Sequence, residues 1–178
     1  MIQKKICMVG AFGVGKTSLV ARYVFSRFSE KYQTTIGVKI DKKVLEVEGQ
    51  PMTMVLWDLA GEDALTTVRP AQLKGSAGFL LVADGTRRNT LDAAKSLLER
   101  AREGAGDVPF LLVLNKADIR DQWEVTDDDI RALEAESWPM MFASAKDGSG
   151  VEELFHKLAA AMLKEHRGES WRTADESA

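Results

Sequence analysis

Between a short apolar run and a helical stripe stands Gly10-Ala11-Phe12-Gly13-Val14-Gly15-Lys16-Thr17, which has the form G-x-x-x-x-G-K-[ST]. No other stretch narrows what the chain can fold into as far as this one. Glycines let the backbone curl, so that successive N–H groups point into one concavity. Such a concavity suits phosphate oxygens, with Lys16 bringing a point charge to the outer phosphates and Thr17 offering a hydroxyl to Mg2+. The flanks agree. Lys4, Ile6, Cys7, Met8 and Val9 read as a buried strand, and Leu19, Val20, Tyr23 and Val24 recur at helical spacing after Ser18. Strand, glycine loop and helix in this order predict a P-loop NTPase. Phe12 is the odd member, a bulky aromatic in a loop built to hug phosphates.

Strand-like runs then alternate with helical patterns, the signature of an α/β domain with a mostly parallel sheet. Strands are expected over Lys4–Val9, Val38–Val47, Met52–Trp57, Phe79–Ala83, Val108–Leu114 and Met140–Ala143. Glu48-Gly49-Gln50 is too short a link for anything but an antiparallel pair. The expectation is therefore a six-stranded mixed sheet, its second strand antiparallel, with helices on both faces. Helices are read over Lys16–Ser26, Leu91–Arg102, Val125–Ser137 (Thr126 as N-cap) and Val151–Lys164. Glu62–Lys74 is poorly periodic, with Pro70 inside it. One domain over 1–166 and a polar, flexible tail over 167–178 complete the reading.

Composition removes whole classes of function. With 45% hydrophobic and 29% charged residues the chain is a globular domain, and a net charge of −3 argues against a nucleic-acid surface. The apolar stretches at Gly78–Ala83 and Pro109–Leu114 are too short to cross a bilayer. No signal-peptide pattern leads the chain, Ile2 rules out N-myristoylation, and the final residues hold no cysteine to prenylate. Cys7, the single cysteine, reads as a small buried hydrophobe in a reducing compartment, and the protein is expected in the cytoplasm without a direct membrane anchor.

Two further motifs sit where parallel α/β sheets hold their ligands, past the carboxyl ends of strands. Trp57-Asp58-Leu59-Ala60-Gly61 places an aspartate after an apolar strand, suited to holding Mg2+ or one of its waters. Asn115-Lys116-Ala117-Asp118 follows the fifth strand. A carboxylate there accepts two hydrogen bonds from N1–H and the N2 amino group of guanine, while adenine lacks that donor pair and would leave the charge unpaired. The aliphatic stem of Lys116 suits the face of a base.

With these motifs in order, the chain resembles a small GTPase of the Ras superfamily, most of all the Rab branch, from about Lys4 to His166. The resemblance implies a GTP/GDP switch. It gives Thr35, in Tyr32-Gln33-Thr34-Thr35-Ile36-Gly37, a role in binding Mg2+ and sensing the γ-phosphate. It sets Phe28 against the guanine face, with Tyr32 also at the nucleotide, and makes Ser144-Ala145-Lys146 the loop whose Ala145 N–H meets guanine O6. Gly61 would contact the γ-phosphate. Lys16, Thr35, Gly61 and Glu62 then form the catalytic set, and Thr17, Thr35 and Asp58 the metal set. Effectors and regulators would bind through Arg27–Ile40 and Gly61–Lys74.

Three departures qualify the implied chemistry. Glu62 stands where the family usually has a water-orienting glutamine, and Phe12 where it usually has a small residue. A carboxylate at 62 cannot donate to a developing anion and repels the γ-phosphate; Phe12 borders the entry route of an arginine finger. Hydrolysis is therefore expected to be slow. The positions of the family's effector-binding aromatic triad carry Ile40, Trp57 and Gln72, so only Trp57 keeps the aromatic. A nucleotide-dependent protein-binding module with negligible turnover is the competing reading, and an ATP-dependent enzyme on the same fold is opposed by Asp118. Arg69 is a candidate arginine acting in cis.

Overall fold

The computed structural model describes residues 1–30, 37–59 and 68–172. Its frame is a sheet of six strands in the order β2-β3-β1-β4-β5-β6. These are β1 (Ile2–Gly10), β2 (Val38–Val47), β3 (Gln50–Leu59), β4 (Gly78–Asp84), β5 (Phe110–Asn115) and β6 (Met140–Ala143). Among the described residues only the β2–β3 pair is antiparallel. Glu48 and Gly49, with φ of 49° and 78°, form its two-residue turn, the left-handed geometry that matches strand twist in tight hairpins.

The continuous apolar runs of the central strands follow from burial on both faces. Alternate residues go to opposite cores, as a period of two requires. Ile6 and Met8 of β1, Leu80 and Val82 of β4, and Leu111 and Val113 of β5 join one core. There they meet α1 (Lys16–Phe25) and α5 (Val151–His166), whose Tyr23 and Phe155 rings stack at 4.1 Å. Cys7 and Val9, Phe79 and Leu81, and Leu112 and Leu114 join the other core. It is covered by α3 (Arg88–Ala105) and α4 (Asp127–Ala135), with Leu73 of the short α2 (Pro70–Leu73) at its margin. Among the described residues no helix is long and apolar enough to cross a membrane.

The elements differ from expectation mainly at polar ends. Helix α3 begins at Arg88 rather than Leu91 and runs to Ala105, because its first turn, Arg88-Asn89-Thr90, is polar and carries no apolar stripe. Pro70 does not interrupt an irregular segment but opens α2 at its first position, where a missing N–H is no loss. Thr126 caps α4 as expected, its Oγ1 accepting from Asp129 N at 3.1 Å while Asp129 Oδ2 accepts from Thr126 N at 2.9 Å.

The stretch read as a polar tail is packed on the domain as far as Arg172. Trp171 is 8% exposed and meets Phe110 edge-on at 5.8 Å, and Arg172 donates to both carboxylate oxygens of Asp107. A single tryptophan leaves no periodic trace in a polar stretch, so pattern reading passes over it. Trp171→Ala is expected to cost about 3 kcal/mol of stability in denaturant unfolding; an unchanged midpoint would mean that the ring adds nothing to the core.

Candidate functional site

The phosphate-type loop leaves β1 at Gly10 and enters α1 at Lys16. Two of its glycines are set by neighbours. A Cβ at Gly10 would lie 2.4 Å from the Val82 carbonyl oxygen, and one at Gly15 would lie 2.2 Å from Asn115 Nδ2, with φ at +103° as well. Val14 is buried and roots the loop in the α1/α5 core. Lys16 is only 7% exposed, and its Nζ donates to the carbonyls of Gly10 (3.1 Å) and Ala11 (3.3 Å). Burial pulls its pKa down to about 8, with the Asp58 charge acting in the opposite sense. A cation so enclosed at the mouth of a loop of N–H groups is suited to an incoming anion.

Asp58 lies one residue before the end of β3, paired in register with Met8 of β1. Its Oδ2 accepts from Thr17 Oγ1 at 2.6 Å. A hydroxyl and a carboxylate, adjacent and oxygen-only, fit Mg2+, which takes few protein oxygens and keeps several waters. Ser18 stands half-buried in the first turn of α1.

Asn115 ends β5, and its carboxamide spans two loops. Nδ2 donates to the Val14 carbonyl at 2.9 Å, and Oδ1 accepts from Ala145 N at 3.3 Å. The Ala145 N–H, which the resemblance gives to a base, is thus turned to Asn115 here. Asp118 is exposed and accepts from Ser144 Oγ at 2.8 Å. Lys116 holds a left-handed backbone at φ 71°, a costly setting for a residue with a side chain. It is pinned on two sides, since Trp123 Nε1 donates to its carbonyl at 2.9 Å and its own Nζ reaches Asp84 Oδ2 at 2.7 Å. Lys146 is exposed and pairs with Glu30 at 3.2 Å.

Phe12 is 39% exposed, and its carbonyl accepts from Arg87 Nη2 at 2.8 Å. Phe28 is partly buried against the α1/α5 core. Arg69 is the exposed N-cap of α2. Tyr32, Thr35, Gly61 and Glu62 lie outside the described residues.

Sequence reading missed three residues of this cluster. Asp84 ends the buried strand β4 and Arg87 follows it, the same signal that exposed Asn115, but neither belongs to a short motif. Arg22 of α1 donates Nε to the Ala145 carbonyl at 2.8 Å and Nη2 to that of Lys146, so it holds the 144–147 loop from below. Its spacing on α1 marks it only as polar.

The family model described as Ras family matches residues 5–164. Among curated proteins, the Ras-related protein SEC4 of Saccharomyces cerevisiae is 36% identical over 157 residues, which cover 87% of this chain and 73% of that protein. The Ras-related protein RABA2d of Arabidopsis thaliana is 32% identical over 160 residues, covering 89% of this chain and 74% of that one.

The Asn115 bridge makes a prediction that needs no ligand. Asn115→Ala leaves the Ala145 N–H and the Val14 carbonyl without it and is expected to cost about 2 kcal/mol in unfolding of the nucleotide-free protein. Unaltered stability would mean that the two loops hold each other by other means.

Proposed function

The chain belongs to the Ras family and is thereby a Rab-like small GTP-binding switch; from that premise we propose that the loops at 10–18, 115–118 and 144–146 form one site for GTP and GDP, at which GTP is hydrolysed slowly. The observation that carries this reading is the Asn115 carboxamide, which ties the phosphate loop to the loop past β6. Phosphates at Gly13–Ser18 and a base at Asp118 are then held by a single rigid piece.

The roles follow from chemistry. Lys16 neutralises the outer phosphates, and the N–H groups of Gly13, Val14 and Gly15 line them. Asp118 receives the two guanine donors, with the Lys116 stem on one face of the base and Phe28 near it. Thr17 and Thr35 would hold Mg2+ directly and Asp58 through water; when bound, the ion spreads the negative charge that builds on the phosphate oxygens. Thr35 and Gly61 sense the γ-phosphate, so its loss releases the segments that carry them. Glu62 is the weak part of the reaction, able to accept from the attacking water but not to donate to the anion.

Partners of the switch are proteins that meet Arg27–Ile40 and Gly61–Lys74. Ile40 is 49% exposed and pairs in register with Trp57, giving an apolar spot where β2 meets β3. Lys5 Nζ lies 3.8 Å from the Trp57 ring centre and also donates to the Gln72 carbonyl at 2.7 Å, so a partner meets a cation beside the ring.

Displacement of a fluorescent GDP tests the site. GTP and GDP should compete, while ATP should be weaker by about 10^3-fold or more, because adenine leaves Asp118 unpaired. Equal competition by ATP sinks the guanine assignment. Single-turnover hydrolysis tests the slow rate. Glu62→Gln and Phe12→Gly should each speed it by about tenfold or more, and no gain from either variant removes the explanation. The second reading, a binding module with negligible turnover, draws on the same two residues; phosphate release over hours from GTP-loaded protein separates it from slow hydrolysis.

A further inference from the structure

At the last position of β4, Asp84 is a wholly buried carboxylate with every acceptor position used. Its Oδ1 accepts from Thr86 N at 2.9 Å and Thr86 Oγ1 at 2.7 Å. Its Oδ2 accepts from Lys116 Nζ at 2.7 Å and Arg87 Nε at 3.1 Å. Arg87 then uses a second nitrogen, Nη2, to donate to the carbonyl of Phe12 at 2.8 Å. One guanidinium thus spans from the end of β4 to the middle of the phosphate loop.

That carbonyl decides the direction of an N–H. In a trans peptide the C=O of one residue and the N–H of the next point to opposite sides, and the described chain has no cis peptide. Drawing the Phe12 oxygen toward Arg87 therefore turns the Gly13 N–H away from Arg87, into the loop. Gly13 sits at φ 76° and tolerates either sense, which makes a flip of the 12–13 peptide cheap. A flipped peptide would present its oxygen to the phosphates in place of the N–H, exchanging attraction for repulsion.

We propose that Arg87 is a positioning residue of the phosphate loop, holding the Phe12–Gly13 peptide so that the Gly13 N–H faces the β- and γ-phosphates. By sharing Asp84 with Lys116 it also joins the phosphate end of the site to the base end. Arginine suits the task because its planar fork serves two acceptors at a fixed angle, whereas a lysine ammonium is a single point on a flexible stem. The carboxylate answers two cations, so net positive charge is left beside the loop, on the side from which it strengthens the Phe12 carbonyl bond. This inference rests on the nucleotide-site reading above.

The test uses Arg87→Ala and Arg87→Lys in the full chain, with displacement of fluorescent GDP by GTP, GDP and GMP. Arg87 is partly exposed, so both variants should fold, and thermal unfolding of the nucleotide-free proteins verifies it. Arg87→Ala should weaken GDP and GTP by about 10- to 100-fold and leave GMP unchanged, since GMP lacks the phosphates that the Gly13 N–H faces. Arg87→Lys should restore less than half of that loss on a logarithmic scale. In wild type the Gly13 amide proton should move downfield when GDP is added, and in Arg87→Ala it should not. Equal weakening of GMP and GDP, or no weakening of either, overturns the proposal, the first by making Arg87 a general structural brace. Failure of wild type to bind any guanine nucleotide overturns the site reading itself, and this inference with it.

Discussion

One carboxamide organises the functional end of this protein. Asn115 stands at the last position of β5, buried, with its amide donating to the Val14 carbonyl and its oxygen accepting from Ala145. The contact is so close that residue 15 must lack a side chain. Three loops separated by up to a hundred and thirty positions in the chain are thereby held as one surface. Such a bond in a buried setting is worth more than its surface counterpart, because losing one partner strands the other without water. The sheet register makes it possible. Asp84, Asn115 and Ala143 are consecutive partners across β4, β5 and β6, so their loops open side by side.

Around this tie, charge is arranged in two groups. Near the loop mouth stand Lys16, Thr17 and Asp58: burial holds the lysine below its ordinary pKa while the Asp58 charge acts in the opposite sense, and Thr17 donates to Asp58. At β4 the balance is the reverse. Burial pushes the Asp84 carboxyl up, but the hydrogen bonds from Lys116, Thr86 and Arg87 outweigh it and keep its pKa below the usual carboxylate range. Asp84 is complete within the protein and has no need of a ligand. The first group is suited to an anion, and the second holds the loops around it in shape. That division explains why a surface arginine with no motif of its own bears on the phosphate loop.

Much of this was legible in the residues. The order of strand, loop and helix, the antiparallel second strand, the Thr126 cap and the last strand all followed from local signals, because apolar period and turn chemistry act over a few residues. The short motifs over 13–18 and 115–118 were equally plain as patterns, and the structure brings them together through Asn115. What escaped were side chains whose importance depends on distant partners. Arg22 reaches Ala145, Arg87 reaches Phe12, and Trp171 reaches Phe110 across long stretches of chain. No periodicity or spacing encodes such a meeting, since it arises only once sheet order brings the elements together. The polar first turn of α3 escaped for a related reason, as a helix start without a stripe or a side-chain cap looks like loop.

By itself the sequence determined the fold class and set out the expected site: a glycine loop with its lysine, an aspartate after a strand and the motif over 115–118 can be read where they stand. The family follows from the same residues taken over their length. Tertiary structure alone decided how those parts are held. It made Asn115 a bridge, Asp84 a hub and Arg87 a pin on a glycine peptide that could otherwise turn either way. The reason is physical. Residue type and local spacing set what a group can donate or accept, but a hydrogen bond exists only between groups that the packed sheet has carried to within about 3 Å of one another.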